Sequence, residues 1–115
     1  MNEVPRIKPT IVCLCVSTRF REAFQRVNRQ ETLAGRIVLA PDCFQSDDDV
    51  DWSSEVKQRL DELHLHKIDL ADAVYILNIG GYIGQSIRRE IAYAQQQGKR
   101  VRWLESGACG DENRE

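Results

Sequence analysis

Ala73-Val-Tyr-Ile-Leu-Asn-Ile-Gly-Gly-Tyr-Ile-Gly-Gln-Ser-Ile-Arg-Arg-Glu90 carries an apolar, β-branched run through three glycines and into an amphipathic segment. The run from Ala73 to Ile79 has the composition of a strand covered on both faces in a parallel sheet. Gly80, Gly81 and Gly84 let the backbone take positive φ and approach a ligand closely. Ser86 is read as the N-cap of the next helix, with Ile87, Ile91 and Ala94 on its inner face and Gly98 at its end. A helix that starts after such a turn offers unpaired N–H groups to an anion. Asn78, Gly80, Gly81, Tyr82, Gly84 and Ser86 are therefore candidate ligand-binding residues.

The same alternation runs outward in both directions. Thr10 to Cys15 predicts a first strand, and Ser17 or Thr18 caps a helix reaching about Ala34, closed by Gly35. Ile37 to Ala40 predicts the second strand, and Pro41 to Asp51, with the run Asp47-Asp48-Asp49, a polar loop. Ser53 or Ser54 starts a long helix through Val56, Leu60 and Leu63 toward Leu70, and Arg100 to Leu104 is the fourth strand. Alternating strands and helices imply right-handed crossovers. The expected fold is α/β, a doubly wound open parallel sheet of the flavodoxin or Rossmann-like kind, order 2-1-3-4, with helices on both faces. Ligands of such sheets bind outside the strand C-termini where the order switches, here between the first and third strands. That brings Val16 to Arg19 beside Asn78 to Ser86 and adds Ser17, Thr18 and Arg19 to the candidates.

A chain of 115 residues, 42% hydrophobic and 30% charged, has room for one domain, with a core from about residue 8 to 104 and a frayed tail over 106–115. A net charge of −2 gives no general attraction for DNA or RNA, so a nucleic-acid polymer is not the expected partner. No run reaches the ~18 apolar residues of a membrane span, and Met1 to Arg6 lacks the apolar core of a signal peptide, which points to the cytoplasm. Cys13, Cys15, Cys43 and Cys109 contain no Cys-x-x-Cys pair, and His64 and His66 stand two apart on a helix. This spacing matches neither a disulfide framework nor a zinc motif, so no metal is expected and the thiols are read as buried side chains. Asp69 and Asp72 are read as capping groups or partners of Lys67.

Glu90 lies three residues after Ile87 and four before Ala94, on the face that packs on the sheet. A carboxylate there is either a first-turn group stabilised by the helix dipole or paired with Arg19, Arg88 or Arg89, or serves as a nucleophile or general base on the crevice floor. The turn is not G-x-G-x-x-G and has no Walker lysine, which disfavours dinucleotides and P-loop chemistry.

Three strings, Cys15-Val16-Ser17-Thr18-Arg19-Phe20, Ile68-Asp69-Leu70-Ala71-Asp72 and Gly84-Gln85-Ser86-Ile87-Arg88-Arg89-Glu90-Ile91-Ala92-Tyr93-Ala94 with Gly98-Lys99, resemble the nucleoside 2-deoxyribosyltransferase-like family. That family includes 2′-deoxynucleoside 5′-phosphate N-hydrolases, and the likeness spans roughly Lys8 to Leu104 in element order. The resemblance implies a glutamate nucleophile at Glu90 attacking C1′ of a deoxyribose, a nucleoside or nucleotide partner, no cofactor, and a homodimer or larger assembly. It places His64 where the enzymes hold an aspartate near the leaving base. Val16 stands where relatives usually carry Gly, and Gly84 where transferases carry an acid and phosphate-preferring hydrolases a serine. Two functions are thus expected to compete: hydrolysis or transfer of an N-glycosidic bond, or a nucleotide-binding module on the same fold without the chemistry.

Overall fold

A computed structural model describes residues 7–17, 19–40 and 53–105. The order of elements is β1 (Ile11–Cys15), α1 (Arg21–Leu33), β2 (Ile37–Leu39), α2 (Ser54–Leu70), β3 (Ala73–Ile76), a 3-10 turn (Ile79–Gly81), α3 (Gln85–Gln96) and β4 (Arg100–Trp103). The four strands form one parallel sheet in the order β2-β1-β3-β4, as the alternation predicts. Cys15 at the end of β1 registers with Ile76 of β3, and Ile76 with Trp103 of β4, so these three strands finish level.

Side chains alternate across a strand, and β1 is buried on both faces. Val12, Leu14 and Val16 pack with Val27, Phe20 and Phe24 beside α1. Cys13 and Cys15 turn the other way, toward Ile68 of α2 and Ile87 and Ala94 of α3. Helices therefore cover both faces, α1 on one and α2 with α3 on the other. Among the described residues no helix is long and apolar enough to cross a membrane.

Several polar contacts fix the layers. Asp72 accepts from the backbone N–H of Ile11 at 2.8 Å and returns its own N–H to the Ile11 carbonyl, locking β1 to the start of β3. Lys67 donates to the Ala40 carbonyl at 2.7 Å, and Tyr93 donates to Asp69 at 2.7 Å. The two aspartates are thus ties between elements, which corrects their reading as caps or partners of Lys67. Buried Glu31 of α1 receives Arg102 of β4 at 2.8 and 3.4 Å and Arg36 at 3.5 Å.

Helix starts differ from expectation at two of three places. Ser53 does cap α2, accepting from the Val56 N–H. The N-cap of α1, however, is Phe20, without a side-chain bond, while Ser17 turns the preceding loop by accepting from the Arg19 N–H and, through its carbonyl, from the Phe20 N–H. The N-cap of α3 is Gly84, and Ser86 lies within the first turn. β3 also ends at Ile76, before the expected Ile79, because the chain turns into the 3-10 segment.

Candidate functional site

The switch between β1 and β3 lies where sequence reasoning put the crevice, and both loops emerge beside it. Val16, Ser17 and Arg19 follow β1, whereas Asn78 to Gly84 link β3 to α3. Thr18 lies outside the described residues, as do the acidic run Asp47 to Asp49, Cys43, Cys109 and the tail.

Tyr82 joins the two loops. Its ring lies under the Arg19 guanidinium, 4.5 Å from the centroid, and meets Phe20 edge to face at 5.9 Å. At 40% exposure it remains an aromatic ledge at the sheet's C-terminal edge. Gly84 makes room for that ring, since a Cβ at Gly84 would stand 3.2 Å from the Tyr82 hydroxyl.

The glycine turn holds an anion, and that anion belongs to the chain. Gly80, at φ +62°, donates its N–H to a Glu105 carboxylate oxygen at 3.0 Å. Gly81, at φ +81°, donates to the Asn78 carbonyl, closing the turn. Both angles lie in the left-handed region that side chains resist. Asn78 is fully buried: its Nδ2 donates to the Glu105 carbonyl and its Oδ1 accepts the Glu105 N–H, both at 3.0 Å. This assignment corrects Asn78 from ligand contact to structural clamp, and leaves the Gly80 N–H already paired.

Glu90 sits in the second turn of α3, with its side chain 14% exposed, on the same face as buried Ile87 and Ala94. Its carboxylate meets His64 of α2, Oε1 to Nε2 at 3.5 Å. None of the arginines expected to pair with it does so in the contacts described: Arg19 covers Tyr82, and Arg89 approaches Asp61 at 3.6 Å. Burial raises the Glu90 carboxyl above its ordinary pKa, with Cys13 and Asp61 adding to the rise, while His64 and a hydrogen bond from Cys15 pull it back.

His64 is only 5% exposed, and its Nε2 also approaches Cys13 Sγ at 3.6 Å and Cys15 Sγ at 3.5 Å. Placed this way, it addresses Glu90 and the two thiols. The two thiols are pushed in opposite directions. Cys13 falls to about 6, through its hydrogen bond to Cys15 and with help from His64 and Lys67, against a burial that pushes it up. Cys15 is pushed well up by the same bond, by burial and by Glu90.

Sequence reasoning missed this grouping. Ligand atoms of Cys13, Cys15 and His64 all lie within 4.8 Å of one another, so the inference that cysteine and histidine spacing rules out a shared site does not hold. Two signals pointed to it: cysteines two apart on a strand share a face, and His64 precedes buried Ile68 by one helical turn.

The site thus unites a largely buried carboxylate, an imidazole and two thiols in the layer between the sheet and helices α2 and α3. Compared with protein-family models, with curated proteins and with solved structures, the chain gives no match.

Proposed function

We propose that this protein hydrolyses or transfers the N-glycosidic bond of a nucleoside or nucleotide, with Glu90 as the nucleophile. The observation that carries this reading is the Glu90 carboxylate itself, largely buried at the C-terminal edge of the sheet and met by His64 at 3.5 Å. A carboxylate used only for solubility or capping would not be kept on an inner helix face, where ionisation costs stability. The resemblance of the Gly84 to Ala94 string to the deoxyribosyltransferase-like family supplies the reaction class.

In the proposed reaction a Glu90 oxygen attacks C1′ of the deoxyribose, and the C1′–N bond breaks with its electron pair leaving on the base, which takes a proton. The resulting glycosyl ester is then cleaved at C1′ by water, or by a second base in a transfer, and Glu90 is regenerated. Partial desolvation makes the carboxylate a stronger nucleophile, and His64 favours its ionised form. In this reading Tyr82 would stack on the base, and Ser17 and Ser86 would hold the sugar or phosphate. The reaction calls for no cofactor, and its partner is a small nucleoside or nucleotide.

A second reading, a nucleotide-binding module without the chemistry, is favoured by Gly84. The Tyr82 hydroxyl lies 3.2 Å from where a Cβ at Gly84 would stand, the position at which the enzymes it resembles carry an acid or a serine, so neither a carboxylate nor a serine reaches the sugar from there.

The experiment incubates the protein with 2′-deoxynucleosides and their 5′-phosphates and follows free base by chromatography, beside Glu90→Ala. Base release by the wild type and none by the variant is the expected result. Release that survives in Glu90→Ala would refute the nucleophile. If no base appears while a nucleotide at a hundred times its Kd stabilises the fold by about 2.7 kcal/mol, the binding module is the correct reading.

A further inference from the structure

We infer that Cys13, Cys15 and His64 form a binding site for a thiophilic divalent cation, Zn²⁺ by its chemistry, with Glu90, which meets His64 but stands outside the three-ligand cluster, turning in as the fourth ligand on binding. The inference is independent of the glycosidic reaction and rests on how three elements converge.

The donors are of the right kind. Two thiolate sulfurs, one imidazole nitrogen and one carboxylate oxygen are the ligands zinc takes in proteins, and the sulfurs select it over calcium or magnesium. The geometry fits as well. With Zn–S near 2.3 Å and Zn–N near 2.0–2.1 Å, a tetrahedral site separates sulfur from nitrogen by about 3.6 Å. His64 Nε2 stands 3.6 Å from Cys13 Sγ and 3.5 Å from Cys15 Sγ, and all three ligand atoms fall within 4.8 Å of one another. Nitrogen and oxygen ligands of one zinc lie about 3.4 Å apart on the same reckoning, and His64 Nε2 to Glu90 Oε1 measures 3.5 Å.

The framework holds three of the donors together before any ion arrives. Cys13 and Cys15 project from one face of the central strand β1, His64 comes from α2 and Glu90 from α3, so the ligands are set by packed elements instead of a loop. Both thiols and the imidazole are buried, which removes competition from bulk water. On binding, the ion takes both sulfurs as thiolates and the neutral imidazole, and the displaced thiol protons go to solvent.

Cobalt(II) is the probe, added to the metal-free full-length protein carrying Cys43→Ser and Cys109→Ser, without nucleotide. One equivalent should give the sulfur-to-cobalt charge-transfer band in the near ultraviolet with strong tetrahedral bands in the red, and Zn²⁺ should bleach both. His64→Gln should weaken Zn²⁺ binding by more than the roughly 10–100-fold that outer-shell partners are worth, and Cys13→Ser with Cys15→Ser should abolish the charge-transfer band. Glu90→Gln, which leaves three ligands, should keep the band and alter the red absorption. Circular dichroism of each variant separates a lost site from a lost fold, and Zn²⁺ should raise the Tm of the parent protein even if the double serine variant does not fold. Octahedral, thiolate-free cobalt spectra from the parent protein, or no Tm gain with Zn²⁺, would overturn the site. Because nucleotide is absent throughout, failure here leaves the glycosidic reading untouched, and loss of base release leaves this one untouched.

Discussion

Asn78→Asp exchanges one atom in the clamp that holds the end of the sheet, and the structure gives both the sign and the size of the effect. In the wild type Asn78 Nδ2 donates to the Glu105 carbonyl and Oδ1 accepts the Glu105 N–H, with the amide fully buried. An ionised aspartate keeps the second bond but sets an oxygen against the Glu105 carbonyl, and it places a charge where water does not reach. A buried carboxyl responds by holding its proton, and once protonated it restores the donor. If burial raises the folded pKa by two to three units over the ~3.9 of an unfolded aspartate, the ionised variant loses about 3–4 kcal/mol at neutral pH. The stability of the variant is fully present below the unfolded pKa and is lost as pH rises through the raised folded one. Urea unfolding with a slope of about 1.5 kcal/mol/M should place the midpoint about 2 M below wild type at pH 7 and close to it near pH 4. An equal midpoint at pH 7, or a deficit of the same size at both pH values, would refute the clamp.

Three other substitutions test separate parts of the structure. Glu31→Ala removes the carboxylate that receives Arg102 and Arg36; because each arginine side chain is about one third exposed and can hydrate, the loss should be about 1–2 kcal/mol by urea unfolding, less than for a fully buried pair. Gly84→Ser sits at extended φ −76°, ψ 174°, where any residue fits, so it should keep the stability within about 1 kcal/mol while displacing the Tyr82 ring, read as a change in tyrosine fluorescence or ring chemical shifts. Glu90→Gln should be more stable than wild type above the carboxylate range: burial raises the folded Glu90 pKa, so its contribution is fully present below the unfolded pKa and lost as pH rises through the folded one. A stability difference between the two proteins that does not change with pH would contradict that assignment.

The sheet order was legible because it depends on long-range alternation, which single residues do not disturb. Ile11 to Cys15 and Ala73 to Ile76 are apolar on both faces, and a strand buried on both faces between helices fits a parallel interior position. Caps were less legible, since they depend on one residue of backbone geometry. Ser17 and Ser86 have the chemistry of N-caps, yet Phe20 and Gly84 occupy those places. Glu90 was legible from its distance to Ile87 and Ala94 along one helix. Its partners were not, because His64 meets Cys13 and Cys15 across separations of 51 and 49 residues, and motif spacing carries no information at that range. Asn78 reads as a polar residue in a ligand-facing turn; only the path of the chain beyond β4 turns it inward to Glu105.

His64 and Glu90 occupy places where an apolar side chain would serve folding better, and both face the thiols of Cys13 and Cys15 or each other. Cys13, Cys15, His64 and Glu90 lie in the layer between the sheet and the two helices α2 and α3, beside Ile68, Ile87 and Ala94, which fill the same layer with hydrocarbon. Ionising a carboxylate and pairing two thiols there costs stability that a leucine or valine would not. Local rules are broken in folded proteins mainly where function requires it, and here a buried imidazole and a largely buried carboxylate meet two core thiols where β1, α2 and α3 pack together. The Glu90 carboxylate is wanted by both proposed chemistries. A carboxylate that gives its charge to a cation is a much weaker nucleophile, so an ion held by Glu90 should suppress attack on a sugar carbon while it is bound.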